Sequence, residues 1–194
     1  MKTVVLIDGG YLRASVKSAR KTYDNPFIES FSRKCIEADE YLLRIFYYDS
    51  AQFRGTVQLP VSGNDTKFQS NDQWLKDLAK LERFAVRRGT IGFRGWRPKE
   101  IPIAGRELKD EDFKPVFEQK GVDMRIGLDI AEFAENSTVD RIVMVSGDTD
   151  MIPAMKRARK AGLEVVMVQL PAPAYTLHDT LLAHCDIVRP VVWP

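Results

Sequence analysis

Apolar residues in this chain form two kinds of pattern, which predict strands and helices in alternation. Continuous runs rich in β-branched residues are typical of strands buried on both faces of a parallel sheet, and they cover residues 3–7, 41–48, 141–145, 163–169 and 186–192. Apolar residues three and four positions apart predict helices starting at 11, over 74–85 and 122–134, at 154–161 and near 175–183. This alternation predicts right-handed βαβ units and an α/β, Rossmann-like fold, with an open, mainly parallel sheet flanked by helices on both faces.

The middle of the chain has a less regular pattern. We predict a loop over 55–64, an end to the helix of 74–85 at Gly89, a partly exposed strand over 90–96, and a loop or small ribbon over 98–112. No repeat or linker-like composition divides the sequence. We therefore expect one domain over 1–194, with a less regular insertion around 50–120.

Composition narrows the class of protein without naming a function. The chain has 194 residues, of which 44% are hydrophobic and 29% charged, as in ordinary globular proteins. The first apolar run ends at Asp8, and no run approaches the ~18 residues of a membrane-spanning helix. Cys35 and Cys185 lack the spacing of a disulfide framework or zinc site. We expect a cytoplasmic protein without a membrane segment.

The net charge of +2 does not by itself argue for nucleic acid, but basic residues are clustered. The clusters are Arg83, Arg87, Arg88, Arg94, Arg97 and Lys99, and then Lys156, Arg157, Arg159 and Lys160. Such groups either neutralise phosphates or form a solvated helix face. Trp96, beside Arg94 and Arg97, is the best base-stacking candidate, with rim packing as the alternative.

Aspartates follow two of the predicted buried strands. Asp8 ends the first run, and Asp148 and Asp150 follow the run 141–145. Ligands of open α/β sheets bind beyond the carboxyl ends of the strands. If these two strands are neighbours, the three carboxylates meet there, and Asp123, at the start of a helix, can project into the same crevice.

Each aspartate also has a purely structural interpretation. Asp8 before Gly9 and Gly10 suits an Asx-type turn, and Asp148 or Asp150 suits a helix N-cap. Asp123 suits the first turn of a helix, where the dipole favours an acid. The functional hypothesis therefore depends on their convergence.

Clustered carboxylates repel one another unless a cation is present. Oxygen ligands without nearby His or Cys favour Mg²⁺ or Mn²⁺ over zinc. Such a metal supports phosphoryl chemistry, because it lowers the pKa of bound water and offsets charge on the phosphate. The aspartates thus predict a site for cleaving phosphodiesters.

Four phrases, in order along nearly the whole chain, carry a family resemblance. They are Val-Val-Leu-Ile-Asp8-Gly-Gly, Phe-Tyr-Tyr-Asp49, Lys120-Gly-Val-Asp123-Met-Arg-Ile-Gly-Leu-Asp129, and Ile-Val-Met-Val-Ser146-Gly-Asp148-Thr-Asp150. With them the chain resembles the NYN domain of the PIN-like nuclease group, and more narrowly its bacterial LabA-like branch. The phrase Ser-Gly-Asp-x-Asp after a buried strand is fairly specific, whereas Ile-Asp-Gly alone is weak.

The resemblance implies a PIN-like fold and metal-dependent ribonuclease activity, with RNA favoured over DNA as the substrate. It implies that the catalytic and metal-binding acids are Asp8, Asp123, Asp148 and Asp150, with Asp129 as a secondary member. Ser146 is expected to shape the loop. The nucleic-acid contacts are expected from Tyr11, Lys120, Arg94, Trp96, Arg97 and Ser146.

One position departs from the family pattern, since Tyr11 stands where many relatives carry Asn. A tyrosine can stack on a base but cannot reproduce an amide contact. The main alternative is therefore a non-catalytic module of the same fold that binds RNA or a nucleotide.

Other classes fit the sequence less well. The dinucleotide motif G-x-G-x-x-G and the P-loop motif are absent, which argues against dehydrogenases and P-loop NTPases. A phosphatase with an Asp8 nucleophile is conceivable, but that class usually carries a second acid where this chain has Gly10. Ser146 lacks a nucleophile-elbow sequence. The apolar end of the chain and the ribbon near Gly95 offer edges for a homodimer, although no pattern requires one.

Overall fold

The computed structural model describes residues 1–101, 105, 107–174 and 176–194. Its strands are β1 (Lys2–Asp8), β2 (Tyr41–Ser50), β3 (Gly55–Gln58), β4 (Asp65–Phe68), β5 (Phe84–Pro98), β6 (Phe113–Lys120), β7 (Arg141–Val145), β8 (Glu164–Gln169) and β9 (Ile187–Pro190). Its α-helices are α1 (Gly9–Ser18), α2 (Asn25–Lys34), α3 (Gln73–Leu78), α4 (Val122–Asn136), α5 (Ile152–Lys160) and α6 (Asp179–Leu182).

In the part of the chain that the structure describes, one central sheet holds seven strands in the order β6-β5-β2-β1-β7-β8-β9. All neighbours are parallel except β5 and β6. β3 and β4 form a separate antiparallel hairpin. β1 lies between β2 and β7, with Ile7 opposite Val145, so the strands that end at Asp8 and before Asp148 are direct neighbours.

Two hydrophobic cores cover the two faces of the sheet. Alternate residues of β1 point to opposite sides: Val4 and Leu6 pack with α4, α5 and α6, whereas Val5 and Ile7 pack with α1, α2 and α3. All four are at most 2% exposed. The prediction of an α/β, mainly parallel sheet with helices on both faces is confirmed. Among the described helices, none combines the length and the hydrophobicity that a bilayer crossing requires.

Helix α2 was not predicted from the sequence. Its N-cap is Asp24, whose carboxylate accepts a hydrogen bond from the Phe27 backbone N at 2.9 Å, and Pro26 occupies the first turn. Ile28 and Phe31 then bury one face of the helix. Asp-Asn-Pro is compatible with a turn or with a helix start, and the tertiary burial of those two side chains favours the helix.

The prediction of a helix over 74–85 is wrong in its second half. α3 ends at Leu78, and Arg83 has a φ of 66°, which is incompatible with a continuing helix. Phe84 then starts β5 opposite Ile45, and Gly89 is paired within the same strand rather than ending a helix. The helical spacing was misleading because Phe84 finds its partner in a strand far away in sequence.

The segment between β2 and α4 is more ordered than its composition suggests. The predicted loop over 55–64 contains β3, and β6 was not predicted at all. Part of the predicted loop or ribbon over 98–112, namely 102–104 and 106, lies outside the described residues, as does Tyr175 of the predicted last helix. An aromatic cluster joins the β3–β4 hairpin to β5 and β6 through Phe53, Phe68, Phe93, Trp96 and Phe117, with ring centroids 5.4–6.3 Å apart.

Candidate functional site

Asp8 lies where β1 passes directly into α1. Its carboxylate accepts a hydrogen bond from the Tyr11 backbone N at 3.1 Å and so caps the helix. Burial raises the pKa of Asp8, while backbone hydrogen bonds from Tyr11 and Gly10 partly oppose this. The negative charges of Asp123 and Asp49 raise it further. The sequence suggested an Asx-type turn at Asp8, whereas the structure gives it a helix-capping role together with proximity to other acids.

The loop after β7 holds the next two acids. The Ser146 hydroxyl accepts a hydrogen bond from the Asp148 backbone N at 3.2 Å, and Asp148 Oδ1 accepts one from the Asp150 N at 2.8 Å. Asp148 thereby caps a 3₁₀ turn over Thr149–Met151 that leads into α5. Ser146 is 3% exposed, so the start of this loop is buried, whereas Asp150 is exposed.

Asp123 lies in the first turn of α4, which covers the same face of the sheet as α5. Gly121 precedes the helix with a φ of 79°, a conformation that glycine adopts without a steric cost. Burial raises the pKa of Asp123, and the charges of Asp148 and Asp150 raise it further. Asp123 is thus electrostatically linked to Asp8 on one side and to the β7 loop on the other.

We call Asp8, Asp123, Asp148 and Asp150 the acidic site. Within the described residues, none of the four forms an ion pair with Lys, Arg or His. Across the same residues, no three His, Cys, Asp or Glu side chains lie close enough together to hold a metal ion as they stand. The acidic site therefore brings negative charges together without a protein cation to balance them.

Asp129 has a different environment from the acidic site. It accepts a hydrogen bond from the Tyr48 hydroxyl at 2.8 Å and forms an ion pair with Arg87 at 3.0 Å. Burial raises the pKa of Tyr48, and the charge of Asp129 contributes to the same direction. Asp129 thus connects α4 to β2 and β5, and both its oxygens already have partners.

Asp49, at the end of β2, is a buried acid to which the sequence assigned no role. Its side chain is fully buried and is bound by both guanidinium nitrogens of Arg13, at 2.6 and 3.1 Å. Tyr47 donates to it at 3.2 Å, and the Ser50 backbone N donates at 2.7 Å. Its position at a strand end was a visible signal, but its pairing with Arg13 was not.

Tyr11 packs against the loop that carries Asp148. A Cβ atom added to Gly147 would lie 2.6 Å from Cε2 of the Tyr11 ring, so the glycine is needed for this close approach. Burial raises the pKa of the Tyr11 hydroxyl, and the charge of Asp8 raises it further. The residue that departs from the family pattern therefore contacts the acidic site directly.

The nucleic-acid contacts predicted on β5 and β6 lie on the same two antiparallel strands that carry part of the aromatic cluster. The Trp96 indole donates to the Gln58 carbonyl at 2.8 Å, and its half-buried ring packs against Phe68 and Phe93. Arg94 pairs with Glu118, whose carboxylate also lies 3.8 Å from Lys120 Nζ. Arg97 is exposed. Trp96 thus has a packing role, which was the alternative interpretation.

A groove of about 500 Å³ runs from the acidic site between α4 and α5. Asp123 and Asp150 line it together with Met124, Leu128 and Arg157. Met124 and Leu128 are 72% and 62% exposed, which is unusual for large apolar side chains. Arg157, one cation of the second basic cluster, lines the same groove.

Comparison with known proteins assigns the family. A stretch of 59 residues, 30% of this chain, is 29% identical to part of an uncharacterized protein of Methanocaldococcus jannaschii, and the match spans 25% of that protein. The chain thus spans about a quarter of the length of the curated relative that it matches. The family model of the NYN domain matches residues 2–187, which is nearly the whole chain and includes every residue of the acidic site. The chain belongs to the NYN domain family.

Proposed function

We propose that this protein is a metal-dependent nuclease that hydrolyses phosphodiester bonds, with RNA as its preferred substrate. The observation that carries the proposal is electrostatic: beyond the effect of burial, Asp123 raises the pKa of Asp8, and Asp148 and Asp150 raise the pKa of Asp123. Membership of the NYN family, whose members are generally nuclease-like, supports the same reaction. Membership of the LabA-like branch and formation of a homodimer stay predictions.

The residues of the acidic site fit a hard divalent cation. Each of the four offers carboxylate oxygens, and like charges near Asp8 and Asp123 oppose their ionisation when no cation is bound. An all-oxygen set favours Mg²⁺ or Mn²⁺. Asp129 is less suited to this role, because Arg87 and Tyr48 already occupy its oxygens.

When bound, Mg²⁺ or Mn²⁺ would supply a water of lowered pKa and offset the charge of the phosphate. The chain itself fixes the acids: the Tyr11 backbone orients Asp8, and Ser146 orients the loop of Asp148. Arg157, in the adjoining groove, can attract a neighbouring phosphate of the strand. Single-stranded nucleic acid suits this arrangement, because the groove has exposed apolar walls.

A cleavage assay on labelled single-stranded RNA tests the proposal. We expect cleavage with Mg²⁺ or Mn²⁺, none with EDTA, and weaker cleavage of the matched DNA strand. Asp148→Asn should lower the rate by about 100-fold or more, since even residues behind the metal ligands typically contribute 10–100-fold. Mn²⁺ titration by calorimetry should show the same loss of affinity independently of turnover.

Asp140→Asn is the matched control, because Asp140 is an exposed aspartate at the opposite edge of the sheet that accepts from the Lys2 backbone N at 2.7 Å. It should leave both the rate and Mn²⁺ affinity unchanged. RNA binding without cleavage in highly purified protein, with Asp148→Asn changing only that binding, would instead support the non-catalytic module. Tyr11→Asn adds a further comparison, because restoring the amide should raise cleavage if Tyr11 limits it.

A further inference from the structure

A second cleft lies on the other side of Asp8 from the α4–α5 groove. It has a volume of about 680 Å³ and is bordered by α1, α2, α3 and the ends of β2 and β5. Its walls include Tyr23, Asn25, Ile28, Gln52, Trp74 and Ile91. Clefts of roughly 300–1,000 Å³ are typical of small-molecule and cofactor sites. None of these wall residues belongs to the acidic site, so the cleft needs an explanation of its own.

This cleft, which we call the α2 cleft, is connected to the acidic site through two contacts. The Tyr23 hydroxyl donates to the carbonyl of Gly9 at 3.4 Å, directly after Asp8 in the chain. Arg13, which also lines the cleft, belongs to α1, the helix that Asp8 caps, and binds the buried Asp49. The α2 cleft and Asp8 are therefore joined through the same helix.

The walls of the α2 cleft combine aromatic and aliphatic surfaces with amide groups. Trp74 packs edge-on against Tyr47, with ring centroids 6.2 Å apart, and its carbonyl accepts from Asn25 Nδ2 at 2.9 Å. Asn25 Oδ1 is buried without a hydrogen-bond partner, although a buried acceptor normally has one. A flat ligand with hydrogen-bonding edges would match both the rings and the amides.

The charges of the α2 cleft argue against a phosphate inside it. Asp24 lines the rim together with Asp77, which pairs with Lys80 at 2.8 Å, while the positive charge of Arg13 is already neutralised by Asp49. An anion would meet the Asp24 carboxylate without an available cation among the described lining residues. A neutral ring avoids this repulsion.

We propose that the α2 cleft binds a nucleobase of the single strand whose phosphate lies at the acidic site. This inference rests on the proposed nuclease function and names the part of the substrate that is recognised. Stacking on the aromatic walls accounts for affinity without strong sequence preference, because every base has an aromatic face. The amides of Asn25 and Gln52 would add a modest preference through the edge of the base.

Free nucleosides test the proposal separately from cleavage, because they contain no phosphate and need no metal. Equilibrium dialysis of adenosine, cytidine, guanosine and uridine against the full chain in EDTA should show saturable binding of at least one of them. Trp74→Ala should weaken this binding about tenfold, within the range for loss of one base–aromatic stack. Tyr41→Ala, a change of an exposed aromatic residue at the opposite end of β2 from the cleft, is the control and should leave the affinity unchanged.

Gln52→Ala provides a second variant, because Gln52 is exposed and its truncation should not disturb folding. We expect it to weaken nucleoside binding roughly threefold, as for the loss of one hydrogen bond. Circular dichroism of each variant checks that it is folded.

No nucleoside binding at millimolar concentration, unchanged affinity in Gln52→Ala and in folded Trp74→Ala, or displacement by ribose 5-phosphate would each overturn the proposal. Nucleoside binding without RNA cleavage would overturn only the proposed function. Metal-dependent cleavage lost in Asp148→Asn, without nucleoside binding, would overturn only the α2 cleft as a base site.

Discussion

The carboxylate of Asp8 is partly buried. One feature of its surroundings stabilises the ionised form, and two features destabilise it. The Tyr11 backbone N–H favours the ionised carboxylate, whereas burial and the neighbouring acids Asp123 and Asp49 disfavour it. The net effect is a raised pKa. Perturbed pKa values of this kind cluster at functional sites, where burial and like charges are brought together.

Asp8→Asn should therefore stabilise the metal-free protein while weakening Mn²⁺ binding. Asparagine can still accept the hydrogen bond from the Tyr11 backbone N, since Asn and Asp are equally good N-caps. At neutral pH we expect the Tm to rise by a few degrees, where about 1 kcal/mol corresponds to about 2–4 °C in a chain of this size. Differential scanning calorimetry in EDTA measures this change.

The direction in which the Tm difference between wild type and variant changes with pH is an internal control for this experiment. Because the folded pKa of Asp8 lies above the ordinary value of 3.8, the wild type loses stability as the pH rises through that range. The Asp8→Asn variant does not lose this stability. The difference in Tm between the variant and the wild type should therefore increase as the pH rises and vanish well below pH 3.8. A lower Tm for Asp8→Asn at neutral pH would contradict the interpretation.

At the scale of elements, the acidic site depends on how α1 meets the loop after β7. The Tyr11 ring from α1 lies against Gly147, and a Cβ at that glycine would be 2.6 Å from the ring. Among the described residues, the side-chain hydrogen bonds of the loop are short-range: Ser146 Oγ accepts from the Asp148 backbone N, and Asp148 Oδ1 accepts from the Asp150 backbone N. The contact between Tyr11 and Gly147 is thus a direct link between two elements that each carry an acid.

Gly147→Ala should displace the Tyr11 ring and disturb the loop of Asp148. We expect Mn²⁺ affinity and RNA cleavage to fall by roughly 10-fold, as for other residues that orient metal ligands. Gly92→Ala is the control, because nothing lies within 4 Å of a Cβ at Gly92. The effect should largely disappear in a Tyr11→Ala background, where the clash is absent. An equal loss with and without the Tyr11 ring would rule out this mechanism.

For the molecule as a whole, a buried ionic network closes the edge of the sheet opposite the acidic site. Glu40, directly before β2, pairs with Arg141 of β7 and with Arg189 of β9, the latter at 2.9 Å. Both arginines are at most 8% exposed. Burial by itself would raise the pKa of Glu40, but the hydrogen bonds from Arg189, Glu37 N and Arg141 outweigh it and lower the pKa to about 2.

Glu40→Gln should destabilise the fold by about 3 kcal/mol, because it leaves buried guanidinium groups without their shared partner. Since the folded pKa of Glu40 is depressed, its contribution is present above the ordinary value of 4.5 and is lost as the pH falls towards 2. Urea unfolding at pH 7 and pH 3 should show a smaller difference between wild type and variant at the lower pH. A pH-independent difference would contradict this assignment.

The strands of the central sheet were predictable where their burial leaves a local pattern. β7 was predicted with its observed limits, Arg141–Val145, because a strand covered on both faces is apolar along nearly its whole length, here from Ile142 to Val145. β6, at the edge of the sheet, is half exposed and mixes apolar residues with charged ones and Pro115, so its sequence resembles a loop. The end of α3 was also missed, because Phe84 fits a helical spacing but pairs with Ile45 in the sheet.

The sequence by itself determined that Asp8, Asp148 and Asp150 follow buried strands, because strand ends are marked by the local change from apolar to polar residues. Only the tertiary structure decided which acids are balanced by cations. Asp49 is paired with Arg13 and Asp129 with Arg87, residues 36 and 42 positions away in the chain. The tertiary structure also brought Asp123 near the acids of the loop after β7. Such contacts depend on the distance between side chains in space, which spacing along the chain does not encode.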